Sequence, residues 1–135
     1  MAKPLFVEIW KHLRMTWQEF EALARVRMGR EFNTEFTSCG VPGVPKKFDM
    51  VSCDAKIVGD AKYLTLVRGE RIPPAKFMEI AGHVWLLGMV EAEKRFLVFG
   101  NQREVPEAWL RKYGALVQGV DFYFLSDDGA LERLN

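Results

Sequence analysis

Two strand-like runs, Lys46 to Ser52 and Ile57 to Val67, are joined by only Cys53-Asp54-Ala55-Lys56, and this spacing constrains the chain more than any other feature. So short a connection makes a hairpin, and the loop length sets its register. With residues 53–56 as the turn, Ser52 faces Ile57, and counting outward sets Asp49 directly opposite Asp60. Side chains alternate across a strand, so in Gly59-Asp60-Ala61-Lys62-Tyr63 the acid and the amine project to one face and Ala61 to the other.

Directly opposed residues hold their Cβ atoms about 5 Å apart, and like charges there destabilise a sheet by up to roughly 1 kcal/mol. Two carboxylates facing each other therefore need a reason. One is a divalent cation, since a hard ion such as Mg²⁺ binds through one or two carboxylates plus water and phosphate oxygens. The other is a solvent-facing hairpin, with the acids paired to Lys47 and Lys62 at the surface. Val51 and Val58 flank the acids on the same face, and the run from Ile57 to Val67 is apolar enough for a central strand, where charges demand partners. A second triplet, Asp54-Ala55-Lys56, lies where the turn must be and reads as turn chemistry.

The rest of the chain surrounds this hairpin with alternating elements. Phe6, Ile9, Trp10 and Leu13 recur at helical spacing, and Thr16-Trp17-Gln18-Glu19 is a capping box that starts a second helix, with Trp17, Phe20, Ala24 and Met28 on one face and Gly29 as its stop. Residues 32–38 predict a strand and Gly40 to Pro45 a loop. Pro73-Pro74 opens an apolar helix reaching to about Ala92, expected to be buried, with Gly82 and Gly88 weakening its continuity. Phe96–Phe99 predicts a short strand, Pro106–Tyr113 a helix, and Val120–Leu125 a last strand ahead of an acidic tail. The fold class is thus α/β, a mixed central sheet flanked by helices, with residues 1–135 forming one domain.

At 135 residues the chain can bury a sizeable core without staples. Its formal charge of +1 excludes binding of nucleic acid through bulk electrostatics alone, so any such contact must be local. Lys11, Arg14, Arg25, Arg27 and Arg30 cluster early in the chain, and read either as solvated helix faces or as a patch that tracks phosphates. Cys39 and Cys53 sit in no zinc-like spacing and read as free thiols. The start of the chain leads into an amphipathic pattern without an apolar signal core, and Val84–Val90 is too short to span a bilayer, so a soluble, cytoplasmic protein is expected.

The early helix supplies a third acid. At about 100° per residue Glu21 projects along the direction of Trp17, Ala24 and Met28, whereas Glu19 is accounted for by the capping box. Glu21 reads either as an acid aimed at the hairpin or as one at the edge of the face that meets an arginine.

Phe48-Asp49 on one strand, Val58-Gly59-Asp60-Ala61-Lys62 on the next, and a preceding helix carrying Phe20-Glu21 resemble the PD-(D/E)XK, or restriction-endonuclease-like, nuclease superfamily over roughly residues 16–100. Phe48 stands where the family often has proline. The resemblance implies an αβββαβ core and a metal-dependent nuclease that hydrolyses phosphodiester bonds of DNA, or of RNA. It implies that Asp49, Asp60 and the backbone carbonyl of Ala61 hold Mg²⁺, or Mn²⁺ in its place, with Glu21 as a further ligand directly or through water. Lys62 would orient or help deprotonate the attacking water. Arg103, at the end of a strand, is a candidate phosphate contact, with a surface loop as the competing reading. His83 reads as a core or edge histidine rather than a catalyst, and Trp85 and Trp109 as packing residues.

Nucleic acid, DNA first, is the expected partner, and the small core leaves room for a homodimer. Two rivals stand beside this reading. A helix-turn-helix module would need a recognition helix soon after Gly29, where the sequence reads as a strand. A non-catalytic nucleic-acid-binding or assembly subunit could keep the same fold without its chemistry.

Overall fold

The structure, a computed structural model, describes residues 15–65 and 72–135. The helical pattern around Phe6–Leu13 and the strand positions Leu66 and Val67 lie outside the described residues. Helix α1, Trp17–Phe32, starts as its capping box requires: Thr16 Oγ1 accepts from the Glu19 N–H at 3.1 Å, and Glu19 Oε1 accepts from the Thr16 backbone N–H at 3.4 Å. It runs past Gly29 and ends at Asn33, a left-handed cap with φ 52°. Gly29 does not stop the helix but makes room beside it. A Cβ there would sit 2.7 Å from the Thr34 carbonyl oxygen, so the bare backbone lets the chain fold back against the helix. Phe20, Ala24 and Met28 form the buried stripe, while Trp17 is 57% exposed, which corrects the apolar face expected from sequence.

Because α1 is longer than expected, the first strand begins later. β1, Phe36–Val41, turns through Pro42-Gly43 into β2, Val44–Ser52, and β3, Ile57–Leu64, follows. Helix α2 is Pro74–Gly88, β4 is Lys94–Asn101, α3 is Glu104–Tyr113, β5 is Asp121–Leu125 and β6 is Leu131–Arg133. The fold is α/β: one six-stranded mixed sheet in the order β1-β2-β3-β4-β5-β6, with helices on both faces. Strands β1 to β3 pair antiparallel, β3, β4 and β5 pair parallel, and β6 returns antiparallel. The sequence reading missed β6, whose residues it assigned to an acidic tail. The end of the chain is fastened there by Asn135, whose Oδ1 accepts from the Phe122 N–H at 2.7 Å and whose amide donates to the Val120 carbonyl at 3.1 Å.

Each face of the sheet has its own core. On one side α1 packs Phe20, Ala24 and Met28 against Met50, Ala61, Phe96 and Val98. On the other, Ile80 and Leu87 of α2 and Trp109 of α3 pack on Val51, Val58, Leu97 and Phe122. Full burial of a Phe, Leu or Met side chain contributes about 1.5–3 kcal/mol, so each helix is held chiefly by its few inward residues. The expectation that α2 is buried holds for one stripe only. Met78 and Trp85 are 70% and 62% exposed, so Trp85 is not the packing residue that the sequence suggested, whereas Trp109 is. β3 is central, bonded along its whole length to β4 from Ile57↔Lys94 to Leu64↔Asn101. Among the described residues no helix is long and apolar enough to cross a membrane.

Candidate active site

The hairpin keeps the register that its turn length dictates. Met50 pairs with Gly59 and Val51 with Val58, as that register requires, and beyond Met50 the strands are joined at Asp49 and Asp60 through side-chain bonds to the backbone. The turn is built by Asp54, whose Oδ1 accepts from Ser52 Oγ at 2.8 Å and from the Lys56 N–H at 3.0 Å. Cys39 and Cys53 are free thiols.

The two opposed acids do something the sequence did not reveal. Asp60 Oδ1 accepts from the backbone N–H of Asp49 at 2.9 Å, and Asp49 Oδ2 accepts from the backbone N–H of Ala61 at 2.9 Å. Each carboxylate reaches across to the opposite strand. The cause lies on the other edge of β2, where Thr37 pairs with Val51 but Cys39 pairs with Phe48. One residue of β1 therefore faces both Asp49 and Met50, which is a β-bulge, and a bulge re-aims the side chain it carries.

The bulge also changes which lysine meets the acids. Before it, Val44 and Phe48 face the α2 side; after it, Val51 does, so the alternation shifts by one residue. Lys46 shares the phase of Phe48 and places its Nζ 3.1 Å from Asp60 Oδ2. Strict alternation from Asp49 had pointed to Lys47 instead. A second unforeseen partner comes from α2, where His83 Nδ1 lies 3.0 Å from the same Asp60 oxygen. No sequence spacing signals that contact, because it requires the crossover helix to lie over β3.

Asp60 is fully buried. Burial raises its carboxyl, yet the net position is below the ordinary value, because the hydrogen bonds from His83 and the Asp49 N–H and the Lys46 charge all favour the anion. Asp49 goes the other way. Burial and the neighbouring Asp60 charge raise it, and the Ala61 N–H and Lys46 only partly oppose them. Of the pair, Asp60 holds the negative charge more firmly. Glu21 is raised too, first by burial and then by Asp49, with Arg25 opposing and Asp60 and Lys62 also contributing. Three acids from α1, β2 and β3 thus lie within each other's fields.

Lys62 shares the face of Asp60, as alternation requires, and its Nζ is 3.9 Å from Glu79 Oε1, one turn before His83 on α2. The structure does not bring Arg103 into this group. Its guanidinium is paired with Glu107 and Glu132 and lies over the Phe124 ring.

Among the described residues no three His, Cys, Asp or Glu side chains are gathered as a set that could hold a metal ion. A hard divalent cation asks for less, one or two carboxylates with water completing the shell, and the donors present are of that kind. A carboxylate has about four lone-pair positions. Asp60 has given three of its positions to Asp49 N–H, His83 and Lys46, while Asp49 has given one to Ala61. The carboxylate of Glu21 accepts no hydrogen bond from the described residues. In an extended strand the N–H and C=O of one residue point to the same edge, so the Ala61 carbonyl also opens toward β2. The donor set is therefore oxygen-only, with spare capacity on Asp49 and Glu21. Asp60, however, is met by the Asp49 N–H, His83 and Lys46 without any ion, a reason for the opposed acids beyond the cation and the solvent-facing hairpin. No protein-family model matches the chain, and no curated protein does.

Proposed function

We propose that the chain is a divalent-metal-dependent phosphodiesterase acting on nucleic acid, DNA first, on a core of restriction-endonuclease-like type. The observation that carries the proposal is the crossed pair: Asp49 and Asp60 each accept the opposite strand's N–H, beside a raised Glu21, with Lys62 on the Asp60 face. The element order supports it, since α1, β1, β2, β3, α2, β4 is the αβββαβ order that the PD-(D/E)XK resemblance implies.

Asp49, Asp60, the Ala61 carbonyl and Glu21 would hold Mg²⁺, or Mn²⁺ in its place. When bound, the ion would lower the pKa of a water and stabilise charge developing on the phosphate. Asp60, fixed by His83 and Lys46, stays anionic and immobile. Asp49 and Glu21 carry the charge that lacks compensation, so they gain most from a cation. Lys62 sets an ammonium over the same sheet face, where it favours negative charge on the phosphoryl oxygens and can orient the attacking water. Arg103 reaches a phosphate only by giving up Glu107 and Glu132, so its contribution is the smallest of the set.

The test is cleavage of labelled DNA and RNA with Mg²⁺ or Mn²⁺ against EDTA. Asp60→Asn and Lys62→Ala should each reduce cutting by about 100-fold or more while circular dichroism shows a folded protein. Activity that persists in EDTA, or in both variants, rejects this centre. A second reading is favoured by one observation: the charge on Asp60 is already met by the Lys46 ammonium, as in a structural ion pair, with His83 in hydrogen-bond contact with the same oxygen. On that reading the chain is a non-catalytic binding or assembly subunit, and calorimetry would detect no divalent-ion binding.

A further inference from the structure

Beside the acids, the C-terminal half of α1 and the start of β1 enclose a groove of about 770 Å³. Arg25 and Arg30 line it, with Asn33, Thr34 and Thr37 as neutral polar groups and Glu35 as the one acid. Gly29 forms part of its wall, where the close approach of Thr34 keeps the space between helix and strand narrow.

We infer that this groove carries the sugar-phosphate backbone of the nucleic-acid strand that enters the proposed phosphodiesterase centre, with Arg25 and Arg30 as its phosphate contacts. The inference rests on that functional reading and adds the path of the substrate. Two observations support it. First, Arg25 and Arg30 line the same groove with no carboxylate partner within ion-pair distance among the described residues; Arg95 and Arg111 also lack one but lie elsewhere, while Arg27 is paired with Glu31, Arg103 with Glu107 and Glu132, and Arg133 with Asp121. Two guanidiniums against the single acid Glu35 give this groove a net positive lining in a chain whose formal charge is only +1. The last-turn position of Arg30 suits the helix dipole, but Arg25 lies in the middle of α1 and has no such explanation.

Second, Arg25 links the groove to the acid cluster. Arg25 Nε donates to the Asp49 backbone carbonyl at 3.4 Å, and the Arg25 charge is felt at Glu21. A guanidinium has five N–H donors, so that single contact leaves most of them for a phosphate. Arg25 therefore stands at the junction of groove and centre. A strand held there presents its phosphates in register with the hairpin, with Asn33, Thr34 and Thr37 able to donate to backbone oxygens without reading sequence.

The experiment measures binding of fluorescent single-stranded DNA, single-stranded RNA and duplex DNA by anisotropy in Ca²⁺ buffer across a salt series, beside cleavage in Mg²⁺. Arg25→Gln and Arg30→Gln should each weaken binding about three- to tenfold and reduce the slope of log affinity against log salt by roughly 0.7–0.9. Arg111→Gln, on α3 across the sheet, is the control and should leave the slope unchanged. Thermal melts check that every variant is folded. Unchanged slopes in both groove variants, with cutting intact, overturn the groove and leave the phosphodiesterase standing. Arginine-dependent binding without cutting in any metal upholds the groove and removes the catalysis. Wild-type protein that neither binds nor cuts overturns both.

Discussion

Asp54-Ala55-Lys56 and Asp60-Ala61-Lys62 are the same tripeptide, one in the hairpin's turn and one on the strand that follows it, and the fold treats them oppositely. Asp54 is exposed and spends its oxygens on the turn; the Lys56 N–H, then the Ser52 hydroxyl, hold its carboxyl below the ordinary range. Asp60 is buried and spends its oxygens on the opposite strand, on α2 and on Lys46. Both carboxyls are lowered, but only at Asp60 is burial the largest single influence that the hydrogen bonds and Lys46 have to overcome. The difference teaches that the motif letters carry little by themselves. The chemistry comes from a central strand that forces the acid inward and from neighbours that then have to satisfy it.

The largest expected effect breaks this contrast at the acid. Asp60→Ala leaves Lys46, His83 and the Asp49 N–H without their shared acceptor, and removing one partner of a buried charged group costs about 3–5 kcal/mol. Asp54→Ala loses only exposed turn contacts and should shift the unfolding midpoint far less. Urea denaturation of the two variants measures the difference directly. Equal shifts would mean that Asp60 is not a buried hub.

Next in size is the residue before each triplet. A Cβ on Gly59 would fall 2.5 Å from Phe96 Cε1, and that ring is fully buried and packed against Phe32, Phe36 and Tyr123. Gly59→Ala should therefore cost about 1–3 kcal/mol through overpacking. The Asp60 strand is pressed onto its core at a point where no side chain fits. Cys53→Ala, at the exposed position before the other triplet, should stay within about 0.5 kcal/mol. A Gly59→Ala protein as stable as the wild type would show that the Phe96 ring can retreat.

A pH titration of metal-free protein sharpens the comparison further. A carboxyl raised in the folded state weakens the fold while ionised, and the penalty is relieved as pH falls through its folded value. Asp49 and Glu21 behave so, above their ordinary 3.8 and 4.5. Asp60, lowered, contributes stability that is complete above 3.8 and disappears as pH falls through its folded value. The melting temperature should therefore rise slightly as pH falls from neutrality toward the ordinary 4.5 of Glu21, and fall once pH drops below the ordinary 3.8 of Asp60. Asp49→Asn should flatten the rise, Asp54→Asn should not, and Mg²⁺ at neutral pH should replace it by stabilising the ionised acids. A rise that survives in Asp49→Asn would move the uncompensated charge elsewhere.

What the sequence disclosed, and what it hid, follows the range of the interactions involved. The hairpin register, Met50 against Gly59 and Val51 against Val58, is local, set by a four-residue turn, and was legible. So were the Thr16–Glu19 capping box and the α/β alternation, which depend on neighbours in sequence. The bulge at Asp49-Met50 was not, because it is defined by pairing with β1, a strand whose start was misplaced by an α1 that outran Gly29. From that one shift came the choice of Lys47 over Lys46. His83 was set aside as a core or edge histidine because its contact with Asp60 depends on the crossover of α2 above β3, which no spacing in the chain encodes. Trp17 and Trp85 misled for the converse reason, since apolar side chains at helical spacing do not say how far a helix tilts from its sheet.

The smallest expected effect lies in the middle residue, and there the two triplets should differ in sign. Ala55 holds a left-handed φ of 57°, a conformation that costs a residue with a Cβ about 1–2 kcal/mol. Ala55→Gly removes that strain but gives the unfolded chain more freedom, so a net gain of about 0.5 kcal/mol is expected. Ala61 sits in the strand conformation, buried against the core under α1, where no such strain exists. Ala61→Gly loses packing and adds unfolded-state freedom, so it should cost about 0.5–1 kcal/mol. Opposite signs in paired denaturation curves would show that the turn and the strand impose different backbones on one tripeptide. A loss in both would mean that Ala55 is held by contacts worth more than its strain.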